Sequence, residues 1–204
     1  MFAAMQKTQH GFSLIETMMV LAVIGTLAAW GIPALGGWVA NARMTTAGND
    51  LLTAVLAGHA ESVKRRALVT MCRTKDAEAD PPACDTDTGN SWATGWVVFS
   101  DDDGDGVVDN GTDEVVVRHT ALRGSLLVVS DAEVTDAIQF TSAGTMTDLA
   151  GVSVNAHLLV CDDRGNEDLG GNRSAARAIL LTRNGRARLF KDLDYISALG
   201  VACP

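Results

Sequence analysis

Aromatic residues are scarce in this chain of 204 residues, at 5% of the sequence. Proteins that bind single-stranded nucleic acid by stacking its bases need a platform of aromatic side chains, so the composition does not favour that class. Net positive charge is also lacking, since the formal charge is −9 and the pI is about 4.7. This argues against a protein that coats nucleic acid through its overall electrostatic field.

No cysteine pair has C-x-x-C spacing and no histidines have metal-ligand spacing, which argues against a zinc site. The four histidines are scattered and no nucleophile motif is present, so we do not expect an enzyme. The even number of cysteines is typical of disulfides in an oxidising compartment. Of the three possible pairings we favour Cys72–Cys84 with Cys161–Cys203, because each bond would tie down a loose segment.

Formal charge is absent from Thr17 to Ala42, which marks a long apolar segment near the amino terminus. As a helix, the stretch from Phe12 to Leu35 would be about 36 Å long, enough to cross a hydrocarbon core of roughly 30 Å. Its one charged residue is Glu16. Burying a charge at the centre of a bilayer costs about 2.5 kcal/mol or more, so this carboxylate needs a partner.

Three interpretations of this segment compete. A secretory signal would use Thr17–Ala29 as its apolar core, but a carboxylate before that core is unusual. A plain membrane anchor explains the length of the segment and leaves Glu16 unexplained. Cleavage between Gly11 and Phe12 would instead create a new amine at Phe12. In staggered parallel helices, Glu16 of one subunit would neutralise that amine on its neighbour.

The stretch Gly11–Glu16 (GFSLIE) resembles the processing motif of the type IV pilin and pseudopilin family. The resemblance implies cleavage after Gly11 by a prepilin peptidase, N-methylation of Phe12 and a role for Glu16 in docking other pilins. It also implies a single span of the bacterial inner membrane, with the head in the periplasm before incorporation into a pilus at the cell surface.

The remaining pattern predicts an α+β protein, a long N-terminal helix packed on an antiparallel β-sheet, and the resemblance implies the type IV pilin fold. We expect a leader at residues 1–11, a transmembrane and assembly helix at 12–35, its amphipathic continuation at 36–70 and a β-rich head at 71–204. The whole helix is predicted from Phe12 to about Leu68. Strands are predicted at Gly95–Ser100, Glu114–Thr120, Leu126–Ser130, Ala137–Phe140, Val152–Cys161, Arg177–Arg183 and Arg186–Phe190.

An acidic segment follows the first of these strands. Asp101, Asp103, Asp105 and Asp109 occupy positions 1, 3, 5 and 9 of a calcium-loop register. Position 12 is Thr112, where a bidentate glutamate is expected, and strands rather than helices flank the loop. The pattern leaves open a calcium site and a solvated acidic hairpin loop; we predict no other cofactor.

A basic segment near the carboxyl end has the opposite sign. Residues 169–191 carry +6 and contain no acidic residue. Asn184–Gly185 predicts a two-residue hairpin turn, which would make Arg183 and Arg186 cross-strand neighbours with Arg188 on the same face. Guanidinium groups held together at an exposed tip indicate an anionic partner, and phosphate suits their planar fork.

The head also resembles a known group. The segment Trp96–Phe99, the acidic loop and Glu114–Arg118 are similar to the GspH/FimT group of minor pilins and pseudopilins. Gly185–Arg188 (GRAR) matches a G-R-x-R motif near the carboxyl end of FimT-type pilins, which bind DNA during natural transformation. The resemblance implies DNA contact through Arg186 and Arg188 beside Gly185. Charge and geometry add Arg177, Arg183 and Lys191.

The sequence therefore predicts a minor type IV pilin that binds extracellular DNA, independently of base sequence, for uptake. Two other interpretations stay open. The chain could be a minor pilin that primes or caps pilus assembly without binding DNA, or an H-type minor pseudopilin of type II secretion.

Overall fold

The computed structural model describes residues 11–87, 89, 91–201 and 203. Residues 1–10 of the predicted leader lie outside the described residues. Two compact units divide the chain, Met1–Ala40 and Asn41–Pro204. Helix α1, Leu14–Arg65, contributes to both units.

In the first unit, α1 is apolar on all sides and its side chains are largely exposed. An 18-residue window of α1 has a mean hydropathy of 2.0, and none of that window is buried inside the protein. By length and composition this helix is able to cross a membrane.

In the second unit, residues 41–65 of α1 are amphipathic. Met44, Ala47, Leu51 and Val55 follow helical spacing and are buried. The helix ends at Arg65, three residues before the predicted Leu68, because the next residue adopts a left-handed backbone conformation and a strand begins at residue 69.

The described residues form two antiparallel sheets rather than the single sheet that the sequence predicted. Their spatial orders are β3-β2-β1-β5-β6 and β4-β7-β8-β9. The strands are β1 Val69–Arg73, β2 Gly95–Ser100, β3 Val115–Thr120, β4 Leu127–Ser130, β5 Ala137–Phe140, β6 Met146–Thr147, β7 Ala156–Cys161, β8 Arg173–Leu181 and β9 Ala187–Asp192. Short 3-10 turns occupy Trp92–Thr94 and Ala132–Val134, and helix α2 spans Leu193–Ser197.

The main core lies between residues 41–65 of α1 and one face of each sheet. The first sheet contributes large buried side chains such as Trp96 and Phe140, and the second contributes Leu158 and Ile179. Gly48 lets α1 approach closely, since a Cβ at this position would lie 2.7 Å from Leu189 Cδ1. We call the face of the second sheet that packs on α1 its inner face, and the opposite face its outer face.

A disulfide supports the outer side of each sheet. Cys72–Cys84 closes a loop over the first sheet, and Cys161–Cys203 ties the carboxyl-terminal segment to the second. Both bonds have the pairing that the sequence favoured. Helix α2 covers part of the outer face of the second sheet, where Ile196 is buried.

The α+β prediction of a long helix with an antiparallel β-rich head is confirmed. The first strand of the head, the two-residue strand β6 and helix α2 were missed. Val69 and Thr70 were assigned to the end of the helix, because a short apolar run after a helix does not show its period. β7 begins four residues later than predicted and β8 four residues earlier.

Candidate functional site

The turn between β8 and β9 has three residues, Arg183 to Gly185, rather than the predicted two. Gly185 N donates to Thr182 O at 2.8 Å, and Thr182 N donates to Arg186 O at 2.9 Å. Gly185 has a φ of 70°, the left-handed conformation that closes this type of turn. The prediction that Arg183 lies opposite Arg186 is therefore wrong. Thr182 lies opposite Arg186, and Arg183 lies in the turn.

The tip of this hairpin is fixed to the rest of the head. Gly185 is buried, and a Cβ added there would lie 2.1 Å from His59 Cδ2 of α1. The backbone of Arg183 is also held, because its N–H donates to Asn155 Oδ1 and its carbonyl accepts from Met146 N, both at 2.8 Å. The backbone of the tip is thus anchored, while the Arg183 side chain stays exposed.

Arg186 and Arg188 lie side by side on the outer face. They are exposed, and together with Leu180 and Thr182 they line a depression of about 240 Å³, which we call the arginine depression. Within the described part of the chain, the guanidinium groups of Arg183, Arg186 and Arg188 form no ion pair. Their positive charge is therefore available to an anionic partner.

Arg177 does not belong to this surface, contrary to prediction. It is buried on the inner face, beside Gly48 of α1. Its Nη1 donates to the carbonyl oxygens of residues 174–176 at 2.7–3.0 Å. Burial lowers the pKa of the Arg177 guanidinium, and the nearby positive charge of Arg164 acts in the same direction. This arginine holds the backbone of β8 and is not presented to solvent.

Lys191 is exposed but points away from the arginine depression. Side chains alternate along β9, with Ala187 and Leu189 packed against the main core and Phe190 packed against the outer cluster. Lys191 thus lies on the side of Leu189, opposite Arg188. Lys191, which charge and geometry added to the predicted DNA-binding residues, is therefore separated from Arg188 by the sheet, because charge alone does not tell which way a strand residue points.

The sequence did not predict the ring cluster at the border of the depression. Tyr195 of α2 stacks on Phe190 with ring centroids 4.3 Å apart, and its hydroxyl lies 3.5 Å from His157 Nε2. The other ring nitrogen of His157 lies 3.0 Å from Asp131 Oδ2. Burial raises the pKa of the Tyr195 hydroxyl. Helix α2 is too short to show a periodic pattern, so the sequence contains no signal for Tyr195. For His157, the alternation of side chains along β7 was the one available signal.

The acidic loop joins β2 to β3, as predicted. Asp101 is buried and accepts hydrogen bonds from the Thr70 hydroxyl at 2.5 Å and from Gly104 N at 2.8 Å. Burial raises the pKa of the Asp101 carboxyl. The carboxylates of Asp101, Asp103 and Asp105 lie within 4.8 Å of one another.

Asp109, the fourth predicted calcium ligand, is not part of that group. Calcium takes six to eight oxygen ligands, and both Asp101 oxygens already accept hydrogen bonds within the protein. Asp101 thus acts as an anchor of the loop, and calcium binding stays a prediction.

Comparison with known proteins agrees with this architecture. Residues 6–32 match the prokaryotic N-terminal methylation motif. A chain with this motif, a long apolar N-terminal helix and a β-rich head is a protein of the minor pilin and pseudopilin class of type IV pili or type II secretion. Residues 47–185 match the family described as type II transport protein GspH, and the chain belongs to that family.

Individual relatives are similar over parts of the chain. A fimbrial protein of Pseudomonas aeruginosa is 34% identical over 74 residues, which cover 36% of this chain and 48% of the relative. The fimbrial protein EcpC of Eikenella corrodens is 47% identical over 45 residues, covering 22% and 29%. The chain thus spans about half the length, or less, of these relatives.

Two solved structures are also similar. The type IV minor pilin FimU of Pseudomonas aeruginosa has a TM-score of 0.48 and 18% identity, covering 72% of this chain and 87% of FimU. The minor pseudopilin EpsH from the type II secretion system of Vibrio cholerae has a TM-score of 0.46 and 11% identity, covering 73% and 97%.

Proposed function

We propose that this chain is a minor pilin that binds extracellular DNA through Arg183, Arg186 and Arg188, for uptake during natural transformation. The observation that carries the proposal is the arginine depression, where Arg186 and Arg188 share an exposed face without an acidic partner among the described residues. Gly185 is buried, so its contribution is to shape the turn that carries the arginines.

The charge distribution confines DNA to this surface. Residues 169–191 carry +6 while the whole chain carries −9, so the remaining residues carry −15 and repel a polyanion. Arginines on an exposed strand contact phosphates rather than base edges, which makes binding independent of sequence and sensitive to salt.

The proposal is tested by fluorescence anisotropy with a labelled duplex and the full chain in nonionic detergent micelles. Arg186→Ala and Arg188→Ala should each weaken binding and lower the slope of log affinity against log salt by about one. Lys191→Ala is the matched control, because it removes a positive charge from the same strand on the opposite face, and should change the slope much less. Unchanged binding by the double alanine variant would contradict the proposal.

Assembly into a filament is the second part of the proposed function. The methylation motif supports cleavage after Gly11, N-methylation of Phe12 and pairing of Glu16 with the Phe12 amine of a neighbouring pilin. The apolar part of α1 would hold the chain in the inner membrane, with the head in the periplasm, until assembly. Mass spectrometry of the mature protein should find methylated Phe12 at its amino terminus; a terminus near Ala29 would contradict cleavage by a prepilin peptidase.

Membership of the GspH family supports a second candidate, a minor pseudopilin of type II secretion. In that role, or in a pilin that primes or caps a pilus, the three arginines would contact another pilin. This candidate would be favoured if the double variant, Arg186→Ala with Arg188→Ala, lost secretion and the parent chain bound no DNA.

A further inference from the structure

The arginine depression has an apolar floor. Leu180 of β8 is half-buried and lies directly opposite Arg188 in the register of the two strands. Thr182 and Arg186 close the depression toward the turn. An apolar side chain is thus partly exposed beside Arg188, where contact with phosphate alone would leave it in water.

Rings lie beyond this floor on the same outer face. His157 is the cross-strand neighbour of Leu180 on the side away from Arg188. Tyr195 lies over Phe190 and reaches His157 with its hydroxyl. Phe190 follows Arg188 by two residues and so shares its face. The arginines thus lie on the β9 side of the depression, His157 lies next to its floor on the β7 side, and Phe190 follows Arg188 along β9.

Duplex and single-stranded DNA would use such a surface differently. The bases of a duplex are paired and stacked on one another, so a duplex offers this face its phosphates alone. An unpaired base exposes its flat face, which stacks on guanidinium planes and packs on apolar side chains. Phosphate contacts alone favour the duplex, because its charge density is higher. The ratio of the affinities for single-stranded and duplex DNA therefore shows whether a base enters the depression.

We infer that the arginine depression holds one unpaired nucleotide, with its phosphate on Arg186 and Arg188 and its base against Leu180, so that the site binds single-stranded DNA more tightly than duplex. This inference rests on the proposed DNA-binding function and names the form of DNA that the site recognises. Removing the exposed apolar surface of Leu180 and of one base face from water should strengthen binding by a factor of about 5.

The first test uses the unaltered full chain in nonionic detergent micelles at one salt concentration. Three labelled probes of equal length are compared by anisotropy: a single strand without self-complementarity, its duplex, and a single strand of abasic sites that keeps the phosphates. The base-bearing single strand should bind about fivefold more tightly than the abasic strand, and also more tightly than the duplex.

The second test replaces Leu180, the apolar floor of the arginine depression. Leu180→Thr introduces a β-branched residue, which strands favour, and removes most of the apolar surface. It should weaken single-strand binding about fivefold and leave duplex binding within about twofold. Leu127→Thr is the matched control, because Leu127 is a partly exposed leucine on β4, the other edge of the same sheet. Thermal unfolding checks that both variants are folded.

Each result has a distinct meaning. Equal or tighter binding of the duplex, or undiminished binding of the abasic strand, overturns the inference while the proposed function stands. If Arg186→Ala and Arg188→Ala leave the affinity for all three probes unchanged, the proposed function itself is overturned.

Discussion

Gly185, at the tip of the β8–β9 hairpin, lies directly against His59 of α1. A Cβ added to Gly185 would come within 2.1 Å of His59 Cδ2 and 2.4 Å of the backbone oxygen of Gly144. The glycine that opens the GRAR motif is therefore a packing residue. Its contact sets the position from which Arg186 and Arg188 extend, so the arginine depression depends on the core.

Gly185→Ala should destabilise the head strongly. The substitution introduces a side chain at a φ of 70° and forces it into His59. The backbone strain alone costs about 1–3 kcal/mol, and the clash adds to it. Each kcal/mol lowers Tm by about 2–4 °C in a protein of this size.

The control for Gly185→Ala is Gly200→Ala. Gly200 has nearly the same φ of 71°, and a Cβ there would meet no atom within 4 Å. Calorimetric unfolding should show a distinctly smaller loss for this variant. Equal losses would mean that the His59 contact contributes nothing.

Arg177→Leu should reduce stability and leave DNA binding unchanged. The variant removes the Nη1 donor from the carbonyl oxygens of residues 174–176, and an unsatisfied buried polar group costs about 1–3 kcal/mol. Urea unfolding measures the loss, and anisotropy with the labelled DNA should stay within about twofold of the parent chain. A clear loss of DNA affinity with unchanged stability would mean that Arg177 does contact DNA.

The two disulfides should differ in their contribution to stability. Cys161–Cys203 joins residues 42 apart in sequence, whereas Cys72–Cys84 joins residues 12 apart. In the chain-entropy model these loops correspond to about 4 and about 3 kcal/mol. Double serine variants of each pair, compared by denaturant unfolding, should therefore lose more stability at Cys161–Cys203; the reverse order would show that the loop over the first sheet depends more on its bond.

Asp101→Asn should change the pH dependence of stability. Burial raises the pKa of the Asp101 carboxyl above its usual 3.8, so the stability that this group contributes is full below that pH and is lost as pH rises through the folded-state pKa. Asparagine does not titrate. The parent-minus-variant difference in unfolding free energy should therefore shrink as pH rises from about 4 toward 7.

Urea titrations of both chains at constant ionic strength, with a chelator present, measure this difference. A difference that grows with pH would mean that the hydrogen bonds from Thr70, Gly104 and Gly106 to the ionised carboxylate outweigh its burial.

Local patterns made several features predictable. The N-terminal helix and its motif were predictable because GFSLIE is followed directly by a long uncharged run, and the length and hydropathy of one contiguous segment can be read from the sequence. The strands Gly95–Ser100 and Ala137–Phe140 were predicted with their observed bounds, since turn residues flank short runs of β-forming residues. The +6 charge of residues 169–191 likewise needs no structure.

The arrangement of the arginines required the tertiary structure. Adding one residue to a hairpin turn changes which residues pair, and Gly185 adopts its left-handed conformation in a three-residue turn packed on α1. Whether Arg177 faces the core and Lys191 faces away from Arg188 depends on which side of the sheet α1 covers.

The scarcity of aromatic residues is a property of the whole chain, whereas the proposed base contact depends on which side chains lie close together at one place. Folding brings Tyr195 and Phe190 beside the arginine depression from a short helix and a strand edge that carry no strong pattern. The sequence by itself determined the class of protein, the anchor and the sign of the charged surface, because these are properties of contiguous segments. Only the tertiary structure decided which side chains share a face, because that depends on register and on what each sheet packs against.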